Sequence, residues 1–309
     1  MRAVTVRDHS AGLAGLRLTE EPYPHAAEND VVVRVHAAGF TRGELDWPAT
    51  WSDRAGRDRT PSVPGHDVSG VVAELGYGTT GLSAGQRVFG LTDWARNGSL
   101  AEYVAVEARN LAPLPADIDH TVGAALPISG LTAWQGLFEH ARLAAGQTVV
   151  VHGAGGAVGS VAVQLAREAG ARVVGTGRAG DADLVRRLGA HAFVNLDDGS
   201  LDEAGPADVV FDVIGGDVLD RSAALVRPGG TLVTIARPPT VRPEDGQAIF
   251  FVVEPDRARL ADLAQRVRDG RLSLAVGAVR PLEEAPDAFA PARRGGGGGR
   301  TIIRVAEGG

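Results

Sequence analysis

An apolar run, Thr148-Val149-Val150-Val151-His152, stops on Gly153-Ala154-Gly155-Gly156-Ala157-Val158-Gly159, and a segment with helical apolar spacing, Ser160 to Ala169, begins at once. A strand that turns this tightly into a helix is half of a strand-helix-strand unit, and such units build parallel sheets covered by helices. Glycine at 156 lets the backbone approach a pyrophosphate, and glycine at 159 lets helix and strand pack closely. The helix N-terminus then offers its unpaired N–H groups to the phosphates. Ala154-x-Gly156-x-x-Gly159 is therefore a dinucleotide fingerprint with alanine in its first slot. The binding turn spans Ala154, Gly155, Gly156, Ala157, Val158 and Gly159. A merely tight glycine turn is the bland alternative, and the flanking strand and helix argue against it.

The choice of dinucleotide is read at the end of the next strand, where an acid usually meets the ribose 2′-hydroxyl when the cofactor is NAD. Here the strand ends Gly175-Thr176-Gly177-Arg178, and no acid follows before Asp181. The Thr176 hydroxyl, the Gly177 backbone and the Arg178 guanidinium suit a 2′-phosphate. NADPH is the expected cofactor.

Around this unit the chain changes character. From Val4 to about Leu114 it runs in short β-rich segments such as Val31-Val32-Val33-Arg34-Val35, punctuated by Gly, Pro and Asp. Val122 to Arg142 has helical spacing, and strands alternate with helices from Thr148 onward, through Val173-Val174-Gly175, Phe193-Val194, Val209-Val210-Phe211 and Thr231 to Ile235. Arg257 to Arg268 is a predicted helix. Thr301-Ile302-Ile303-Arg304-Val305 is a closing strand, placed so that it could rejoin the N-terminal β unit. Tyr103 sits in an alternating strand and is expected to be structural. The run Gly295 to Gly299 is a linker or a ligand-contacting loop by composition.

Absences narrow the chemistry. The 309 residues contain no cysteine, which excludes disulfides, thiolate nucleophiles and cysteine-ligated zinc. All 31 basic side chains are arginine, which excludes Schiff-base chemistry and a Walker lysine. A net charge of −7 with scattered arginines speaks against nucleic acid, and the longest charge-free stretch, Thr121 to Phe138, is too polar for a membrane span. No apolar leader follows Met1, so a cytoplasmic protein is expected. Gly81-Leu82-Ser83-Ala84-Gly85 matches a nucleophile elbow by letters, but it lies between two predicted strands rather than at a strand-to-helix turn.

With Pro64-Gly65-His66-Asp67-Val68-Ser69-Gly70, Gly85-Gln86-Arg87-Val88-Phe89-Gly90, Gly98-Ser99-Leu100-Ala101-Glu102-Tyr103-Val104 and Ala125-Leu126-Pro127-Ile128-Ser129-Gly130 added to the turn, the chain resembles the medium-chain dehydrogenase/reductase superfamily, specifically its zinc-free NADPH:quinone oxidoreductase-like branch. The resemblance covers almost the whole chain. It implies an α/β fold: a Rossmann doubly wound parallel sheet over about residues 122–270, plus a GroES-like β-rich domain over 1–121 completed by 271–309. It further implies that Thr132, Ile214, Ile235, Phe250, Phe251, Val252 and Arg300 approach the cofactor. Thr41 stands where zinc-dependent relatives carry their first cysteine, so no bound metal is expected.

Without a metal to polarise an alcohol, the natural chemistry is hydride donation from NADPH to a quinone or an α,β-unsaturated carbonyl. Thr41, Asp46, Trp47, His66 and Trp94 are pocket candidates, and no catalytic proton donor is assigned. Two alternatives stand beside the enzyme: a non-catalytic NADPH-binding or sensor protein, and a dedicated reductase tailoring one natural product. The apolar run Ile249 to Val253 suits a sheet edge through which relatives of this kind form homodimers.

Overall fold

The computed structural model describes residues 1–199, 201–289 and 299–306, so the glycines at 295–298 lie outside the described residues. The chain divides into two compact units, one made of Met1–Ile128, Pro255–Asp269 and Val276–Gly309, the other of Ser129–Glu254 and Gly270–Ala275. One is a GroES-like β-rich unit and the other carries a Rossmann sheet.

In the first unit the strand Asp30–Gly39 is central. Every residue in it is buried except Arg34, and the near-continuous apolar run follows from having neighbours on both faces. One edge of it pairs antiparallel with Asp67–Leu75. The other edge is shared by two strands, Tyr103–Glu107 along residues 30–34 and Arg300–Arg304 along residues 37–39. The closing strand thus returns across more than 250 residues to the N-terminal sheet, beside its parallel partner Val276–Pro281.

In the second unit six parallel strands lie in the order Ala192–Asn195, Arg172–Gly177, Thr148–His152, Ala207–Asp212, Val226–Thr234, Gly246–Phe250. Numbered from Thr148, that is 3-2-1-4-5-6, the order of a dinucleotide-binding sheet. The order reverses between Thr148–His152 and Ala207–Asp212, and ligands of such sheets bind at the carboxyl ends of the strands flanking that switch.

Two local expectations change. The segment Val122 to Arg142 is not one helix but three pieces, His120–Ala125, Pro127–Trp134 and a wide turn at Gln135–His140, because Pro127 cannot continue the first. The helix Arg257–Arg268 falls in the first unit, although it lies within the span 122–270 expected for the Rossmann domain. There Arg257 donates to the Gly81 carbonyl and Arg268 to Asp117. Ser83 follows the strand Asp67–Leu75 and precedes the antiparallel strand Arg87–Leu91, so no helix projects it as a nucleophile. Among the described residues no helix is long and apolar enough to cross a membrane.

Candidate functional site

The second unit contributes the phosphate turn. Gly153 has φ +71°, a left-handed conformation that only glycine adopts cheaply. Gly156 precedes the helix Ala157–Glu168 in an extended conformation. A Cβ on Gly159 would stand 2.1 Å from the Gly153 carbonyl oxygen, and one on Gly156 would stand 3.2 Å from the same atom. The first three amides of the helix have no partner within it and point at the space above the turn. Ala154 is buried, its N–H donating to the Thr176 carbonyl at 2.9 Å.

Beneath the turn lies a polar network. His152 is buried, with Nδ1 2.8 Å from the Thr176 hydroxyl and Nε2 3.0 Å from the Ser222 hydroxyl. Burial pushes its pKa down to about 4, so the ring is neutral and serves as a strut. Asp212 accepts from the Thr234 hydroxyl at 2.8 Å and from the amides of Ile214 and Gly215 at 3.1 Å. These bonds fix the loop that carries Ile214. The Ile214 side chain lies beside Gly153, and a Cβ there would meet it at 3.2 Å. Sequence reasoning missed Asp212, although an acid at a strand end followed by Ile214-Gly215-Gly216 is the signal of such a loop clamp.

Thr176 requires a correction. It is fully buried and its hydroxyl is engaged by His152, so it is not offered to a 2′-phosphate. Arg178, by contrast, is exposed, and among the described residues its guanidinium has no carboxylate within ion-pair reach. Asp181 folds back over the turn: its carboxylate accepts from the Arg178 amide at 3.2 Å, and a Cβ on Gly155 would meet its carboxyl carbon at 2.6 Å. Gly177 lies buried between them. Of the remaining expected residues in this unit, Thr132 is buried and Ile235 half-buried. Phe250 is 38% and Val252 60% exposed, and Phe251 packs on His140 with ring centroids 4.4 Å apart.

In the first unit a buried polar cluster forms where Gly39 pairs with Asp67. Thr41 opens a 3-10 turn, Arg42–Asp46, and Glu44 folds back inside it. One Glu44 oxygen accepts the Thr41 amide and the other the Gly65 amide, both at 2.8 Å. Burial nevertheless pushes Glu44 up to about 8 against those two bonds, with neighbouring Asp67 adding to the shift. Asp67 accepts the Ile128 amide at 2.7 Å and is ion-paired with Arg300, whose Nη2 also lies 3.4 Å from the Thr41 hydroxyl. Burial raises Asp67 to about 6, with Arg300 opposing it. Arg300 is thus held by Asp67 inside this unit.

Three of the pocket candidates do come together. His66 stacks near Trp47 and edge-on to Trp94, with centroids 6.4 and 4.8 Å away, and the two indoles meet at 5.1 Å and 90°. His66 Nδ1 is 2.7 Å from the Thr92 hydroxyl, and burial lowers its pKa to about 3. Asp46 does not join them; it is exposed at the end of its turn. As metal donors these residues are poorly matched. His66 Nε2 is 4.0 Å from Glu44, both Glu44 oxygens are held by amides, and Asp67 already faces a guanidinium. Among the described residues no group of three or more acids and histidines is close enough to hold a metal ion.

Known proteins resemble both units. Residues 27–116 match the family model described as alcohol dehydrogenase GroES-like domain, and residues 157–253 match that described as zinc-binding dehydrogenase. The chain is 29% identical to the quinone oxidoreductase of Rattus norvegicus, over 93% of this chain and 92% of that one. It is also 29% identical to the NADPH-dependent alkenal/one oxidoreductase of Arabidopsis thaliana chloroplasts, over 91% and 73%. The solved structure of a quinone oxidoreductase from Coxiella burnetii superposes with a TM-score of 0.91 at 25% identity, covering 99% of each chain.

Proposed function

This chain belongs to the medium-chain dehydrogenase/reductase superfamily, in its quinone oxidoreductase-like branch, and from that membership we propose that it is an NADPH-dependent oxidoreductase delivering a hydride to a quinone or an α,β-unsaturated carbonyl without a catalytic metal. The observation that carries the reading is the turn at Gly153–Gly159, a cradle in which a Cβ at Gly156 or Gly159 would meet the Gly153 carbonyl and whose amides open at the switch point of a 3-2-1-4-5-6 sheet. A bound nicotinamide supplies the hydride for an electron-poor carbon. The chain's own part is to hold the pyrophosphate on the turn amides, to offer Arg178 to a 2′-phosphate, and to present apolar Ile214 at a loop clamped by Asp212. The edge-to-face pair of Trp47 and Trp94 is an apolar aromatic surface suited to a planar acceptor.

Metal-free chemistry is supported by the donor set. With Thr41 in place of a thiolate, and Asp67 neutralised by Arg300, a zinc ion would find one imidazole and no free charged ligand.

A second reading, NADH, draws on Asp181, whose carboxylate against Gly155 would repel a 2′-phosphate unless it swings away. The two charges make opposite predictions at one position. In a screen of quinones, enones and aldehydes with both cofactors, NADPH is expected to be preferred. Arg178→Ala is expected to weaken NADPH roughly ten- to hundredfold, as loss of one charge-assisted contact would, with NADH unchanged. A clear preference for NADH would sink the assignment of Arg178, and tight NADPH binding without turnover on any acceptor would favour a binding protein.

The strand Gly246–Phe250 is the edge of its sheet, and the exposed Phe250 and Val252 lie on that edge and just beyond it. We propose that two copies of the chain join here. Gel filtration is expected to give a dimer that Val252→Arg disperses; a wild-type monomer at micromolar concentration would end the proposal.

A further inference from the structure

The first unit contains a groove of about 590 Å³ that the reaction above does not use. Its origin is the shared edge of the strand Asp30–Gly39. Tyr103–Glu107 leaves that edge at Arg34, and Arg300–Arg304 takes it up at Ala37. At the junction the Val35 amide donates to the Glu102 carbonyl and the Val305 amide to the His36 carbonyl, both at 2.9 Å, so the ladder is continuous while the two strands diverge above it.

The charges around this gap are unequal. Arg2, Arg34, Arg280 and Arg304 line it against two acids, Glu102 and Glu283, and both acids are already held by Arg2, Glu102 at 2.9 Å. Arg280 lies 3.5 Å from Glu284. Arg34 is the one exposed residue of an otherwise buried strand, and Arg304 ends the closing strand. Among the described residues neither guanidinium has a carboxylate within 4.0 Å; the carboxyl group of Asp119 is lowered in part by Arg304 but forms no ion pair with it. Tyr103 is the direct cross-strand partner of Arg34, which puts the phenol and the guanidinium side by side. Two guanidiniums that line one groove, neither of them ion-paired among the described residues, favour an anion between them.

We propose that this groove is a binding site for a small organic oxyanion, a carboxylate or a phosphate ester, held by Arg34 and Arg304 with its apolar portion on Val279 and Pro281. The volume is that of sites for small metabolites, and paired guanidiniums with an adjacent hydroxyl are the donor set that carboxylates and phosphates share. The site is independent of the phosphate turn, and stands whether or not the chain turns over NADPH.

The test uses the full chain with citrate and inorganic phosphate titrated separately by calorimetry, each against wild type and the double variant Arg34→Gln/Arg304→Gln. Both positions are exposed, and circular dichroism checks that the variant folds. At least one of the two probes is expected to bind saturably near one equivalent, and the double variant is expected to weaken it by tenfold or more, about the effect of one lost charge-assisted contact. NADPH affinity is expected to be unchanged. Binding of citrate alone assigns a carboxylate ligand, and binding of phosphate alone a phosphate ester. No saturable binding of either probe overturns the proposal, as does equal binding to wild type and double variant, which would place the anion on the phosphate turn.

Discussion

Replacing Gly159 by alanine is expected to abolish NADPH binding and to destabilise the protein by about 3 kcal/mol, the upper range for overpacking a close contact. The new Cβ would stand 2.1 Å from the Gly153 carbonyl oxygen and 2.8 Å from the Ala154 Cα. Both are backbone atoms, so no rotamer can relieve the clash. The helix must lift from the strand Thr148–His152, and the amides that aim at the pyrophosphate lift with it. Gly156→Ala provides the contrast. Its Cβ would meet the Gly153 oxygen at 3.2 Å, a contact that a shift of a few tenths of an ångström relieves, yet a methyl group there stands in the path of the phosphate. Gly156→Ala is therefore expected to melt near wild type while losing cofactor affinity. Thermal melts and fluorescence titration with NADPH separate the two effects, and a Gly159→Ala protein with wild-type melting and affinity would show that the turn is not the cofactor cradle.

Removing the cation at Arg300 is the second large effect. Asp67 is 0% and the Arg300 side chain 8% exposed, so Arg300→Met leaves a buried carboxylate without its partner, at a cost of about 3–5 kcal/mol. The loss depends on pH. Asp67 in the folded protein is already raised to about 6 by burial, and Arg300 is what holds it from rising further. A carboxyl group whose folded pKa lies above its unfolded value contributes most below the unfolded value, and its contribution is lost as pH rises through the folded one. The Arg300→Met defect should therefore be smaller at pH 5, where Asp67 takes up a proton, than at pH 8. The double variant Asp67→Asn/Arg300→Met should recover part of the loss, because no charge remains buried. Urea denaturation at the two pH values measures both; a defect of equal size at pH 5 and pH 8 would mean that Arg300 acts by packing rather than by charge.

The same pair shows what could not be seen in advance. Asp67 and Arg300 are 233 positions apart, and nothing local to either residue points to the other. Their partnership depends on the closing strand pairing antiparallel with Asp30–Gly39, which puts Ile302 opposite Gly39 while Gly39 lies opposite Asp67. Thr176 turns inward for a similar reason. The residue types at the end of its strand suggest a phosphate contact, but register sets Thr176 directly across from His152, and cross-strand neighbours share a face. That face is the interior. Trp47, His66 and Trp94 do meet, as their residue types suggested, whereas Asp46 points to solvent because its 3-10 turn has made Glu44 the inward-facing acid.

By itself, then, the sequence determined the features whose physics is complete within a dozen residues: the strand, the glycine turn, the helix opening on its amides, and the absence of any thiol or lysine. A close approach of backbone to backbone demands glycine at Gly159 wherever the rest of the chain goes. Tertiary structure alone decided which polar groups are spent on one another. The hydroxyl of Thr176 and the guanidinium of Arg300 are consumed internally, while among the described residues Arg178, Arg34 and Arg304 have no carboxylate within ion-pair reach. A buried charge or hydroxyl must find its partner in space, and register between strands far apart in sequence fixes which partner that is.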